Sequence, residues 1–228
     1  MTDKKTYKFN CLLVTGEVYH ICTKSIAGFK IFNSDYEFAR TQDLYRYYEF
    51  EKPLMRFSYF SRRKQIKGKE KENYFKGSFG NTEKIVDILA YCIMPTHIHL
   101  ILKQLKEKGI SVFMKNVLNS YTRYFNTKHK RKGPLWEGRF RRAWVGTDEY
   151  LLHLTRYIHL NPVTAYLANK PEKWKWSSYG EYISKSKSNN ICRYQEILDI
   201  NLRSYKKFVE DNRDYQRQLA KIKHLTLE

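Results

Sequence analysis

The segment "MPTHIHLIL" places two histidines, His97 and His99, one residue apart in an otherwise apolar run. Side chains alternate between faces along a β-strand, so both imidazoles would lie on one face while Ile98 and Leu100 point to the other. Two adjacent imidazoles can supply two ligands of a divalent metal ion. The pair is equally compatible with core packing, and metal binding requires a third group from elsewhere in the chain.

The downstream segment "RYIHLNP" carries the candidate third group. On a helix, Tyr157 and Asn161 are four residues apart and share a face with His153, whereas His159 points elsewhere. A tyrosine can attack phosphorus to form a covalent intermediate, and a metal ion held by the histidine pair and the Asn161 carbonyl could polarise the scissile phosphate. The alternative is that Tyr157 and Asn161 only complete an amphipathic helix.

Two further histidines are candidates for supporting roles around a metal ion. His20 lies on the first predicted strand and could approach the metal, although a hydrogen-bonded core histidine is the favoured interpretation. His153 could support the ligands or assist proton transfer.

The charge of the chain indicates a polyanionic partner. Forty-three Lys and Arg against 23 Asp and Glu give a formal net charge of +20. Nucleic acid is the first candidate and an anionic membrane surface the second, whereas a solvated charged face is the alternative for any single basic run. The residues expected to contact DNA are Arg62, Arg63, Lys64, Arg123, Lys128, Lys130, Arg131, Lys132, Trp136, Arg139, Arg141 and Arg142.

Several protein classes are disfavoured by what the sequence lacks. No apolar run approaches the roughly 18 residues that span a bilayer, and the first residues do not resemble a signal peptide. The four cysteines are scattered without a C-x-x-C pair, which indicates reduced thiols and disfavours structural zinc. We therefore expect a cytoplasmic protein that does not associate with membranes.

The elements that must position these residues follow from periodicity and turn residues. Strands are predicted at 16–26, at 55–63 and within 131–145, and the segment 84–102 is predicted as one long strand or as a strand pair with a turn in the middle. Helices are predicted at 34–50, beginning at Ser34 or Asp35, at 110–130 with Ser111 as N-cap, and from Thr147 until Pro162 stops or bends the helix. A helical, basic region is expected from about 191. This order predicts an α+β, ferredoxin-like antiparallel sheet with helices packed on one face.

Four segments in this order, "YCIMPTHIHLIL", "SYTRYFNTKHKRKGPLWEGRFR", "DEYLLHLTRYIHLNPV" and "KWKWSSYGEY", closely resemble the single-tyrosine HUH transposases, particularly the REP-associated tyrosine transposase branch. The resemblance covers residues from about 17 to 182. It implies a catalytic domain at 1–182, followed by a linker and a basic helical extension at 183–228. The chain departs from the family's usual pattern at Thr164, where an arginine is common.

The resemblance also implies a reaction. Tyr157 would be the nucleophile and His97, His99 and Asn161 the ligands of Mg²⁺ or Mn²⁺. The enzyme would cleave and rejoin hairpin-flanked single-stranded DNA through a 5′-phosphotyrosine, acting as a monomer or a homodimer. Two rival hypotheses are a non-catalytic protein that binds DNA or RNA hairpins, and a metal-dependent RNA nuclease without a covalent intermediate.

Overall fold

The histidine segment forms the second strand of a β-hairpin in a four-stranded antiparallel sheet. The computed structural model describes residues 12–51, 57–62, 82–184, 190–198 and 201–212. The strands are β1 (Val18–Lys24), β2 (Val86–Met94), β3 (His97–Gln104) and β4 (Arg141–Trp144), in the spatial order β2-β3-β1-β4. The histidine strand β3 therefore lies inside the sheet, between β2 and β1.

Helices connect the strands and extend the chain beyond the sheet. The helices are α1 (Asp35–Tyr48), α2 (Phe57–Arg62), α3 (Gly109–Lys128), α4 (Asp148–Thr164), α5 (Tyr179–Ile183) and α6 (Leu202–Glu210). With α1 after β1 and α3 after β3, the order and antiparallel pairing are those of a ferredoxin-like sheet. The predicted α+β fold class is confirmed.

Helices cover both faces of the sheet. Tyr45 of α1 and Phe113 of α3 pack beside each other, and Tyr45 contacts Tyr91 of β2, so these helices share one face. Helix α4 lies on the opposite face, where the Tyr157 ring contacts the His99 ring. The predicted packing on one face therefore describes α1 and α3, whereas α4 covers the histidines.

The strand predicted at 55–63 is wrong. Residues Phe57–Arg62 form the short helix α2. The Phe57 ring packs against Tyr47 at 5.3 Å and Tyr48 at 6.3 Å, at the end of α1. This aromatic contact holds the segment against a helix, a tertiary effect that the aromatic content of the segment did not reveal.

The helix boundaries follow the prediction in three of four cases, and only the expected cap at Ser111 is wrong. Thr147 caps α4, its side chain accepting a hydrogen bond from the Tyr150 amide. Pro162 lies in the last turn of α4, which ends two residues later. Ser34 occupies the N-cap position of α1 without a side-chain cap bond. Ser111 is not the cap of α3, because the helix already begins at Gly109.

A buried polar cluster fixes α4 against the elements that follow it. The His159 ring lies 2.7 Å from the Tyr205 hydroxyl of α6 and 2.8 Å from Ser178 Oγ. Tyr205 in turn donates to Thr155 Oγ1. Burial lowers the pKa of His159 to about 3, so its imidazole is neutral at physiological pH. The cluster holds the His159 face of α4 inward, and this sets where Tyr157 points.

The C-terminal part of the chain also packs on the core. Trp174 and Trp176 are half-buried and lie against Phe38 of α1, with ring centroids 5.7 and 5.1 Å away. Within the helical region expected after 191, Leu202–Glu210 form α6, while residues 213–228 lie outside the described residues. The boundary proposed between 1–182 and 183–228 stays a prediction.

Gly109 gives a test of how tightly α3 packs against the sheet. An added Cβ would overlap the backbone carbonyl of Ile85, which cannot move as a side chain can. We expect Gly109→Ala to lower the free energy of unfolding by about 1–3 kcal/mol, measured by urea denaturation. Gly180→Ala is the control: a Cβ there meets open space, so stability should hold or rise. Equal effects of the two substitutions would contradict this packing.

Candidate active site

Strand pairing places the two histidines among polar residues of β1. His99 lies opposite Cys22, and His97 lies opposite Lys24. The two imidazoles are perpendicular, with centroids 5.1 Å apart. His99 is only 6% exposed, whereas His97 is more accessible at the end of the strand. The predicted placement of both rings on one face of β3 is confirmed by these contacts.

His20 of β1 is bonded directly to His99. His20 Nε2 lies 3.0 Å from His99 Nδ1, and the ring centroids are 5.3 Å apart with only 15° between the ring planes. The centroid separation exceeds the nitrogen separation by about two ring radii, so the rings meet edge to edge in nearly one plane. This is the geometry of a linear N–H···N hydrogen bond. It engages Nδ1 of His99 and leaves Nε2 for another partner.

His97 has a comparable arrangement. Its Nδ1 lies 2.9 Å from Thr96 Oγ1, in the turn that joins β2 to β3. Both histidines of the pair therefore have one ring nitrogen engaged within the protein and the other, Nε2, left for a ligand. Such a partner on the far side of the ring is typical of histidines that bind metals.

The three imidazoles favour the neutral form. Burial lowers the pKa of His20 to about 4, and burial together with Lys24 lowers the pKa of His97 to about 4. Burial, followed by His20, His97 and Lys24, holds the pKa of His99 well below 6.5. Neutral imidazole is the form that ligates a cation, so the cluster can receive one near neutral pH.

Helix α4 brings Tyr157 and Asn161 to the same place. The Tyr157 ring is perpendicular to His99 with centroids 6.0 Å apart, and Tyr157 remains 37% exposed. Burial raises the pKa of Tyr157, with a further rise from Cys22, and a hydrogen bond with the Asn161 side chain opposes that rise. The tyrosine is thus a protonated hydroxyl that faces both the histidine cluster and solvent.

The imidazole nitrogens and the Asn161 amide can supply some of the ligands of a divalent cation, which would take its remaining ligands from outside the protein. Asn161 Nδ2 is buried and has no hydrogen-bond partner in the described structure. Exchanging the two ends of the amide would place its carbonyl oxygen at that position. Imidazole nitrogen and amide oxygen suit several divalent metals. No group of three His, Cys, Asp or Glu side chains in the described residues could hold a metal, so Asn161 and outside ligands would have to complete the site.

Some predicted DNA-contacting residues have structural roles. Lys128 Nζ lies 2.7 Å from the carboxylate of the buried Glu37. Arg131 donates to Asn126 and to the Pro134 carbonyl, which ties together the loop after α3. The Trp136 indole N–H contacts Leu118 and Thr122 of α3. These contacts limit what the three side chains can offer to a nucleic acid.

Other predicted residues are more accessible or lie outside the described residues. Arg123, Lys130, Lys132, Arg139 and Arg141 are exposed, and Arg142 is half-buried in β4. Arg62 ends α2, whereas Arg63 and Lys64 lie outside the described residues.

His153 is separate from the histidine cluster. Although it shares the predicted helix face with Tyr157, its ring lies 5.5 Å from Phe208 of α6. A role for His153 in supporting the metal ligands has no support in this geometry.

Two neighbours of the histidine pair were not predicted. Cys22 and Lys24 lie opposite His99 and His97, and burial raises the pKa of the Cys22 thiol to about 11, so the thiol is protonated. The sequence did carry one signal: His20, Cys22 and Lys24 occupy alternate positions of β1 and therefore lie on one face of that strand. Without the register between β1 and β3, that alternation could not be connected to the histidine pair.

Comparison with protein families identifies this region. A family model described as transposase, IS200-like, matches residues 57–161, a range that includes His97, His99, Tyr157 and Asn161. Residues 57–161 of this chain are therefore similar to the IS200-like transposases. No curated protein sequence matched the chain.

A solved structure shares the fold of this chain. It is described as a REP-associated tyrosine transposase bound to a REP hairpin, and it aligns with a TM-score of 0.51 over 86% of this chain and 95% of that chain. Sequence identity is 13%, so the likeness concerns the fold. Within the described part of the chain, no helix is both long and apolar enough to cross a membrane.

The lowered histidine pKa values predict acid sensitivity of the metal-free protein. An unfolded histidine takes up a proton near pH 6.5, whereas folded His20 and His97 do so only near pH 4. The unfolded state therefore binds more protons in this interval, and stability falls as the pH drops from 6.5 to 4, by up to about 1.4 kcal/mol per pH unit for each group.

Urea unfolding at several pH values, with a chelator present, measures this dependence. His97→Gln should reduce the slope of unfolding free energy against pH, because it removes one of the groups whose pKa is lowered on folding. A slope in His97→Gln identical to wild type would contradict the neutral, desolvated state of His97.

Proposed function

We propose that this protein is a transposase that cleaves and rejoins single-stranded DNA by forming a covalent phosphotyrosine at Tyr157. The observation that carries the proposal is the approach of the Tyr157 ring to His99, with Asn161 one helical turn further along α4. A nucleophilic hydroxyl beside two or three cation ligands, within a chain of high positive charge, suits phosphoryl transfer to and from a nucleic acid. The match of residues 57–161 to the family model for IS200-like transposases supports the same activity.

The residues would divide the chemistry as follows. The Tyr157 oxygen attacks the scissile phosphorus, the bond to the 3′-oxygen breaks, and the 5′ end of the downstream strand stays attached to tyrosine. The Tyr157 hydroxyl proton passes to solvent water, which the 37% exposure of this residue admits, and the departing 3′-oxygen takes up a proton from water. Attack of a 3′-hydroxyl on the phosphotyrosine reverses these steps and joins a strand.

His97, His99 and Asn161 are the residues that would hold Mg²⁺ or Mn²⁺. When bound there, the cation would polarise the phosphate and stabilise charge on the leaving oxygen. His20 would fix the orientation of His99, because acceptance of the His99 Nδ1 proton leaves Nε2 as the ligand nitrogen.

We further propose hairpin DNA as the substrate class. The support is the fold shared with the hairpin-bound REP-associated transposase, together with the resemblance of four sequence segments to that branch. The rival that keeps the fold without chemistry is a protein that only binds hairpins.

A covalent adduct tests the proposed reaction. A library of hairpin oligonucleotides with single-stranded flanks, incubated with Mg²⁺ or Mn²⁺, should yield a protein–DNA adduct stable in denaturing gels. Tyr157→Phe should remove the adduct below detection, because the attacking oxygen is lost. Tyr166→Phe, which removes an exposed hydroxyl just beyond α4, is the matched control and should retain it.

Two results would contradict the proposal in different ways. Hairpin binding without an adduct under either metal would favour the binding protein. DNA cleavage that survives Tyr157→Phe would identify water as the nucleophile.

Metal binding tests the role of His20 separately from turnover. His20→Phe removes the partner of His99 Nδ1 and should weaken Mn²⁺ binding by about 10–100-fold in calorimetry. His20→Gln keeps an acceptor and should restore much of the affinity, whereas His153→Phe should have no effect. Equal loss in His20→Gln and His20→Phe would show that the hydrogen bond does not position His99.

A further inference from the structure

A pocket of about 140 Å³ adjoins the candidate active site. Its walls come from the end of β1, at Cys22 and Lys24, and from the segment that enters β4, at Glu137, Arg139 and Arg141. Cys22 pairs with His99 on one side and with Arg141 on the other, while Lys24 pairs with His97. The pocket and the histidine pair therefore share a boundary, formed by Cys22 and Lys24.

The charges around this pocket are not compensated. Lys24, Arg139 and Arg141 line it, against the single carboxylate of Glu137. Some basic residues elsewhere in the described chain form ion pairs with acids, such as Lys128 with Glu37 and Lys84 with Glu49. No ion pair within the described residues involves Lys24, Arg139 or Arg141. Three positively charged side chains line this pocket against one carboxylate, and this excess of positive charge favours an anion there.

The backbone of the pocket is fixed by hydrogen bonds. The Glu137 amide donates to the Lys24 carbonyl at 3.0 Å, and the Ile26 amide donates to the Leu135 carbonyl at 3.0 Å. Ser25 forms an isolated antiparallel bridge with Trp136. The two walls are thus held together next to the residues that carry the charges, so the pocket exists before any ligand binds.

We propose that this pocket binds a backbone phosphate of the single-stranded DNA next to the scissile phosphate. Lys24, Arg139 and Arg141 hold that phosphate, and the shared boundary with His97 and His99 places the neighbouring phosphate before Tyr157. Glu137 opposes anion binding and limits its strength. The inference rests on the proposed function for the identity of the strand, whereas the binding itself can be measured without catalysis.

Fluorescence anisotropy tests the pocket in the absence of chemistry. The probe is a labelled DNA hairpin with a single-stranded oligothymidylate extension, compared with the same hairpin without the extension. All variants carry Tyr157→Phe and are measured with a chelator, so that neither covalent capture nor metal contributes. Circular dichroism and thermal unfolding first show that each variant is folded.

The expected changes have opposite signs for opposite charges. Lys24→Gln and Arg141→Gln should each weaken binding of the extended hairpin several-fold and reduce the slope of log affinity against log salt by about 0.7. Glu137→Gln should strengthen binding, because it removes the negative charge that opposes the phosphate. Thymine has no amino group that a carboxylate could recognise, so the substitution removes no favourable contact with the extension. Lys115→Gln, an exposed position on α3 beyond the opposite face, is the charge-matched control and should change little. The hairpin without extension should respond to none of these substitutions.

Three results would overturn the proposal. The first is that Lys24→Gln and Arg141→Gln bind the extended hairpin no more weakly than Lys115→Gln does, and the second is that Glu137→Gln binds it more weakly than its parent does. The third is that the substitutions weaken binding of the hairpin without its extension by the same factor. Failure of the proposed function gives a different pattern. In that case, the protein with Tyr157 intact forms no adduct, while the extended hairpin still responds to the pocket substitutions as expected.

Discussion

The register between β1 and β3 is the constraint on which the candidate site depends. It places Cys22 opposite His99 and Lys24 opposite His97, and it brings His20 within 3.0 Å of His99. Because side chains alternate along a strand, a slip of one residue would send both histidines to the face covered by α1 and α3. The apolar alternate positions of β3, fully buried on that face, oppose such a slip. The hydrophobic core thus determines where the imidazoles lie.

The second constraint is the rotational setting of α4. His159 is buried and bonded to Tyr205 and Ser178, so one side of the helix is fixed to the core. Tyr157 and Asn161 flank His159 in sequence and lie on another side of the helix, toward the histidine strand. Two independent structural elements therefore converge: a strand whose register is set by apolar burial, and a helix whose rotation is set by a buried polar cluster. Neither element alone creates a site.

Local periodicity was sufficient for part of this structure. Helices α3 and α4, the Thr147 cap and the shared face of Tyr157 and Asn161 all follow from patterns within a few turns of helix. For β2 and β3, the local pattern left open whether the segment forms one long strand or a hairpin. The helix at Phe57–Arg62 was missed because its aromatic content is equally typical of a strand, and its contact with Tyr47 is tertiary. The bond between His20 and His99, and the pocket around Lys24, depend on strand pairs separated by about 80 residues or more, which no local pattern encodes.

The central claim is that Tyr157 forms the covalent bond to DNA. The most direct measurement is to isolate the protein–DNA adduct, digest both components, and locate the attached nucleotide by mass spectrometry. We predict that the nucleotide is carried on the α4 peptide at Tyr157, through a 5′-phosphate. Attachment at another tyrosine, or the absence of any nucleotide-bearing peptide under conditions where DNA is cleaved, would contradict this account.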